Sequence, residues 1–189
     1  MTKNIMIVGV GGQGTLMASN ILGKVLLAEN FDVKVSEVHG MSQRGGSVVT
    51  YVRWGEKVYS PIIDKGESDF IISFEALESA RWAEYLKKDG ILISNTQEIN
   101  PMPVITGAAE YPAEIISKLK AMGLNVDAFD ALTLAVKAGS SKAVNIVLIG
   151  KLAKYFDFDK QVWIDAIKST VLEKHLEMNL KAFELGYEA

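Results

Sequence analysis

The apolar run Ile5-Met6-Ile7-Val8 breaks into Gly9-Val10-Gly11-Gly12-Gln13-Gly14, and helical spacing follows at Leu16, Met17, Ile21, Leu22, Val25 and Leu26. A buried strand, a glycine turn and an amphipathic helix in immediate succession open a nucleotide-type βαβ unit. The glycines are expected to act differently. Gly9 turns the chain tightly, Gly11 lets backbone approach a ligand or neighbour, and Gly14 lets helix pack closely on strand. A second glycine-bounded stretch, Glu37-Val38-His39-Gly40-Met41-Ser42-Gln43-Arg44-Gly45-Gly46, follows the short strand Val33-Lys34-Val35. In an open α/β sheet both stretches lie beyond the carboxyl ends of the strands, so they are expected to face one place.

The rest of the chain supports a three-layer, Rossmann-like α/β reading with a mostly parallel sheet. Residues 47–54 are β-branched and aromatic and read as a strand, with a turn at Gly55-Glu56 and a short partner strand at 57–60. That hairpin implies a mixed sheet edge, with Tyr51 and Trp54 on a surface that wants a partner. A buried-type strand at 69–74, a helix at 75–87, a turn at Asp89-Gly90 and a strand at 91–94 come next, then a connector with a short strand at Val104-Ile105. A helix carries Ile115, Ile116 and Leu119, and a strand spans 125–129. From Asp130 the chain is helical to about Gly186, with caps expected at Asp130, Ser141 and Asp159 and a stop at Gly186. The run Val144 to Leu152 is apolar nearly all round and should be buried against the sheet or in an oligomer interface. One domain, 1–189 with a helical part at about 130–186, is the expectation.

Composition excludes several functions. A net charge of −3 without a strongly basic stretch argues against nucleic acid. No apolar run approaches the roughly 20 residues of a membrane span, and Met1-Thr2-Lys3-Asn4 leads straight into a core strand. A cytoplasmic protein is expected. Zero cysteines exclude a cysteine-ligated iron–sulfur cluster, a thiol nucleophile and a disulfide, and two histidines, His39 and His175, argue against a histidine-rich metal site. There is no phosphate loop ending in Gly-Lys-[Ser/Thr], no nucleophile elbow and no Gly-Asp-Gly thiamine motif.

On pattern alone two readings stand level. Glu37 sits where dinucleotide-binding folds keep a ribose-bonding acid, which favours NAD or FAD. Equally, the glycines permit tight packing and meet another protein surface. Gln13 and Arg44 are suited to reach outward to phosphate or carboxylate; for Arg44 an ion pair with Glu37 or a partner's acid is as good. His39 is a candidate acid or base, although a hydrogen-bonded structural histidine is the favoured reading. Asn145 is read as tying down a loop backbone, and His175, among Glu173, Lys174 and Glu177, as a solvated helix residue.

The paired motifs Gly9 to Gly14 and Ser36 to Gly46 closely resemble the gamma-type domain of the 2-oxoacid:ferredoxin oxidoreductases, in the branch of the indolepyruvate ferredoxin oxidoreductase beta subunits. The likeness continues through Tyr59-Ser60-Pro61, Phe74-Glu75-Ala76, Asn145, and Asn179 to Gly186, and so covers nearly the whole chain. Where pyruvate-type members carry a Gly-Pro-Glu-like loop, this chain has His39 to Gln43, which resembles the aryl-2-oxoacid branch. The resemblance implies an enzyme that oxidatively decarboxylates arylpyruvates to aryl-acyl-CoA and passes electrons to ferredoxin. It also implies a division of labour. A large alpha subunit would hold thiamine diphosphate, Mg2+ and the iron–sulfur clusters, coenzyme A would be co-substrate, and this chain, inactive alone, would complete the cleft. Gly9, Gly11, Gly12, Gln13 and Gly14, with Glu37, Ser42, Gln43, Arg44, Gly45, Gly46 and Asn145, would line that contact.

Overall fold

The computed structural model describes residues 2–39 and 45–189, with the side chain of His39 excepted. Expectations resting on Ser42, Gln43, Arg44 and the His39 side chain therefore lie outside the described residues. Six strands form one sheet: β1 Lys3–Val10, β2 Asp32–His39, β3 Ser47–Gly55, β4 Ser68–Ser73, β5 Leu86–Asn95 and β6 Asn125–Phe129, in the order β2-β3-β1-β4-β5-β6. β3 runs antiparallel to both neighbours, whereas β1, β4, β5 and β6 pair in parallel. The expected three-layer fold with a mixed edge is borne out.

The alternation of side chains along β1 divides the core. Ile5 and Ile7 join one apolar cluster with helices α1 (Thr15–Ala28), α5 (Ala131–Ala138), α6 (Val144–Ala153), α7 (Lys160–Lys168) and α8 (Leu176–Glu188). Met6 and Val8 point to the other face, where α2 (Ala76–Trp82) and α4 (Ile115–Ala121) cover a smaller cluster. A strand buried on both faces reads as an unbroken apolar run, which is how β1 reads.

Several local expectations are corrected. The antiparallel partner of β3 is β2, not residues 57–60. Both edges of β3 are taken by β2 and β1, so no ladder edge remains for that segment. Side chains hold it instead: the Val58 N–H donates to Asp32 Oδ2 at 2.9 Å, and Arg53 Nη1 donates to the carbonyls of Ser60 and Ile62 at 3.0 and 2.7 Å. Trp54, on an interior strand, is buried and packs on Phe156 at 5.7 Å between ring centroids, while Tyr51 is half-buried. Neither forms an exposed aromatic edge. The helix expected over 75–87 ends at Trp82, and Asp89-Gly90 lies inside β5 at a register shift against β4. A short helix α3, Met102–Ile105, replaces the strand expected at 104–105, and Ser140, not Ser141, caps the turn that leads into α6.

All ten positions of α6 are buried inside this one chain, so its apolar surface needs no oligomer. α8 runs through Gly186 instead of stopping there. At the crossing of these two helices a Cβ on Gly186 would stand 1.9 Å from the Val147 carbonyl oxygen, and one on Gly150 would stand 2.2 Å from that of Phe183. The glycines exist for backbone approach.

Gly186→Ala is expected to lower unfolding free energy by about 3 kcal/mol, the upper end for overpacking. Gly23→Ala, in a helix where an added Cβ meets nothing within 4 Å, should raise it by about 0.5–1 kcal/mol. Urea unfolding of the two variants checks the contrast.

Candidate functional site: the glycine rim and its cleft

The carboxyl ends of β1, β2, β4, β5 and β6 and the start of β3 share one edge. There the two glycine stretches meet through backbone. The Gly11 N–H donates to the Gly46 carbonyl at 2.9 Å, and the Gly45 N–H donates to the Gly11 carbonyl at 3.4 Å. Gly12 and Gly14 make the turn with φ of 101° and 86°, a left-handed region that favours glycine. Gly14 is the α1 N-cap and offers no side chain, so the N–H groups of the first turn stay outside the helix's own ladder at the edge.

Gly9 takes no part in the turn. It lies buried within β1, where a Cβ would come 2.9 Å from Gln13 Oε1 and 3.0 Å from Phe74 Cβ. Gln13 turns inward, against the expectation that it reaches out. Its Oε1 accepts from the Val10 N–H at 2.7 Å and its Nε2 donates to the Phe74 carbonyl at 3.2 Å. A primary amide has one accepting and one donating end, which matches the two strand ends it bridges. Asn95 donates to the same Phe74 carbonyl at 3.1 Å, and its Oδ1 accepts from the Ala131 N–H at 3.1 Å, which fixes α5 to the sheet edge. Asn145 does hold a loop backbone: its Nδ2 donates to the Gly14 carbonyl at 3.3 Å.

Two depressions flank the turn. The smaller, about 370 Å³, is lined by Gly11, Gly12, Leu16, Glu37 and Val48. Glu37 thus lies beside the glycine turn, on β2 across the interposed β3, opposite Thr50. The dinucleotide reading loses support here, because the Gly11 N–H is committed to Gly46 and the Gln13 N–H to the Val10 carbonyl at 3.2 Å. These two turn amides are not free for a pyrophosphate, although the first-turn N–H groups of α1 remain. The larger cleft, about 1070 Å³, runs from Gly12 and Gly14 to the α5–α6 connection and the start of α8. Gln97, Ser140, Lys142, Thr170, His175 and Asn179 contribute polar groups to it. His175 is exposed in a helical turn, Glu173–His175, as its reading as a solvated helix residue has it, and it also lines that wall.

Beneath the rim lie two buried carboxylates: Glu75, which entered the sequence reading only within Phe74-Glu75-Ala76, and Glu78, which it did not single out. Glu75 takes three donors: the N–H groups of Glu78 and Ile99, at 2.9 and 3.0 Å, and the Tyr111 hydroxyl. Burial and the Glu75 carboxylate push the Tyr111 phenol well above its ordinary range. Glu78 accepts from Ser47 Oγ at 2.5 Å and from Trp82 Nε1 at 3.3 Å, and lies 3.3 Å from Arg81 Nε. Burial raises its carboxyl, outweighing Ser47, Arg81 and Trp82. The available signal was position: polar residues just beyond the end of a buried parallel strand.

The family model described as pyruvate ferredoxin/flavodoxin oxidoreductase matches residues 4–189. The chain belongs to that family. It is 43% identical to indolepyruvate oxidoreductase subunit IorB of Thermococcus kodakarensis, over 98% of this chain and 95% of that one. It is 28% identical to the pyruvate/ketoisovalerate oxidoreductases common subunit gamma of Pyrococcus abyssi, over 95% and 92%. The fold matches a 2-oxoglutarate:ferredoxin oxidoreductase from Magnetococcus marinus, solved with 2-oxoglutarate, coenzyme A and succinyl-CoA bound, with a TM-score of 0.74 at 17% identity. That match covers 99% of this chain and 30% of the other. The resemblance read from the paired glycine motifs is borne out.

This family member has no cysteine, and no group of three or more metal-ligating side chains gathers among the described residues. Without cysteine it offers no thiolate to an iron–sulfur cluster. No helix among the described residues is long and apolar enough to cross a membrane.

The raised Glu78 carboxyl gives a signed expectation. Its folded pKa stands above the unfolded value of about 4.3, so its contribution to stability is full below that pH and is lost as pH rises through the folded pKa. Wild type should lose stability relative to Glu78→Gln as pH rises above about 4.3. Urea midpoints measured through that pH would move the other way if the carboxyl were held ionised.

Proposed function

We propose that this chain is the smaller subunit of an indolepyruvate-type 2-oxoacid:ferredoxin oxidoreductase, and that its glycine rim closes a cleft whose redox and thiamine chemistry belongs to a larger subunit. The observation that carries this reading is the graded likeness along nearly the whole chain: 43% identity to an indolepyruvate oxidoreductase subunit against 28% to a pyruvate/ketoisovalerate one. That this chain matches 30% of a 2-oxoglutarate:ferredoxin oxidoreductase chain supports the division of labour. The lack of cysteine agrees with clusters held elsewhere.

In this reading an arylpyruvate loses carbon dioxide, its electrons pass to ferredoxin, and the aryl-acyl group leaves on coenzyme A. Thiamine diphosphate with Mg2+ on the larger subunit supplies the stabilised carbanion that decarboxylation needs. This chain contributes enclosure and charge. Gly14 and Met17 at the start of α1, with Lys142 and His175, line one open cleft beside the helix's positive end, a setting suited to the phosphates of coenzyme A. Closing that cleft against a second subunit removes water and strengthens those contacts. Exposed Leu16, Met17 and Leu172 supply apolar surface near the same edge for the subunit contact.

Reconstitution with the large subunit, assayed with indolepyruvate, phenylpyruvate and pyruvate, tests the reading. Turnover of the aryl substrates only in the mixture is expected; NAD-dependent oxidation by the isolated chain would overturn it. In the mixture, Lys142→Ala and Arg44→Ala should each leave folding intact. Each should lower kcat/KM for coenzyme A roughly ten- to a hundredfold, the loss of a charge-assisted bond of about 1.5–3 kcal/mol. Steady-state kinetics with coenzyme A varied check both.

A further inference from the structure

The glycine turn is tied to the protein interior by a route that runs away from the cleft. Gly11 bonds to Gly46, and the next residue is Ser47, the first of β3. The Ser47 hydroxyl does not face solvent alone; it donates to Glu78 Oε2 at 2.5 Å. Glu78 belongs to α2, on the sheet face opposite α1, and is 4% exposed. Its backbone N–H is in turn fixed by Glu75, whose other oxygen holds Ile99, a residue of the larger cleft's wall. One buried carboxylate thus stands one side-chain bond from the return limb of the rim, and its own anchor reaches the opposite wall.

We propose that Glu78 is a positioning residue for the glycine rim, acting through Ser47 to set where Gly46 meets Gly11. A buried carboxylate is a costly way to hold one hydroxyl when an amide or a second hydroxyl would serve. What it adds is a bond whose strength changes with charge: an ionised acceptor binds the Ser47 hydroxyl more tightly than a neutral one. The groups facing Glu78 are Arg81 and Trp82 on its own helix, Ser47 from β3, and Glu75 from the preceding turn. Lys65, Glu84 and Tyr85, with Ser47, Arg81 and Trp82, line a depression of about 410 Å³ beside it. Water can therefore approach Ser47 and Arg81, which gives the carboxyl a path for its proton. Insofar as the rim serves turnover, the inference rests on the proposed function.

Titrating the 15N-labelled full chain by NMR tests the coupling without turnover. The Gly11, Gly46 and Ser47 amides should shift together with one midpoint above about 4.3, and the shift should vanish in Glu78→Gln. In Ser47→Ala the Glu78 carboxyl should still titrate while Gly11 stays still. Amides that do not shift in wild type, or that keep the same midpoint in Glu78→Gln, would overturn the proposal; so would a Gly11 response that survives Ser47→Ala. In the reconstituted enzyme, Glu78→Gln should move the acid limb of the kcat/KM profile for coenzyme A, and Glu78→Asp should restore it in part. Glu78→Gln with an unmoved profile overturns the catalytic side of the proposal. A wild-type mixture without arylpyruvate turnover overturns the proposed function instead, and the NMR titration then still decides the coupling.

Discussion

The structure depends on one insertion. By taking the place between β1 and β2, the antiparallel strand β3 makes the chain after β2 return to the carboxyl edge beside β1. Only then can Gly46 accept from Gly11 and Gly45 donate to it. In a sheet where β2 lay directly on β1, the glycine turn would keep those backbone groups for a nucleotide pyrophosphate. Here the chain itself occupies part of that position. The same residues that suggest a dinucleotide site thus build something else, a rim made of two glycine segments held by each other's backbone.

That rim has a rigid foundation because the polar ends of the strands are saturated in pairs. Gln13 bridges β1 and the end of β4, while Asn95 bridges that same end and the start of α5. Asn145 then ties the turn to α6. Each amide is committed to its neighbours, while among the described residues Gln97, Ser140, Lys142 and His175 contribute polar groups to the larger cleft. Preorganisation of this kind spares binding the cost of ordering loops.

The layers are unequal, and this has a use. Five helices cover one face, with α6 fully enclosed and pressed against α8 through Gly150 and Gly186. The other face carries α2 and α4 and the buried carboxylates Glu75 and Glu78. The heavy layer supplies most of the apolar burial. The light layer has room for charged groups just under the rim, where low dielectric magnifies their effect.

From the sequence alone came the strand–glycine–helix opening, the buried-type strands β1 and β4, the short strand β6, the caps at Asp130 and Asp159, and the family. These are signals of short range: periodicity, a glycine's freedom, a carboxylate before a helix, a run of motif residues. Pairing partners were not legible, because β3 reads the same whether its neighbour is residues 57–60 or β2. Nor was the end of α8 legible, since a glycine that stops a helix and one that lets two helices touch are the same letter. Gln13 could point outward or inward until Phe74 stood beside it. Glu78 resembled any helix-surface acid until Ser47 arrived from across the sheet, 31 residues earlier in the chain. Local chemistry is written in the order of residues, whereas which groups share a low-dielectric space is fixed only when distant segments pack together.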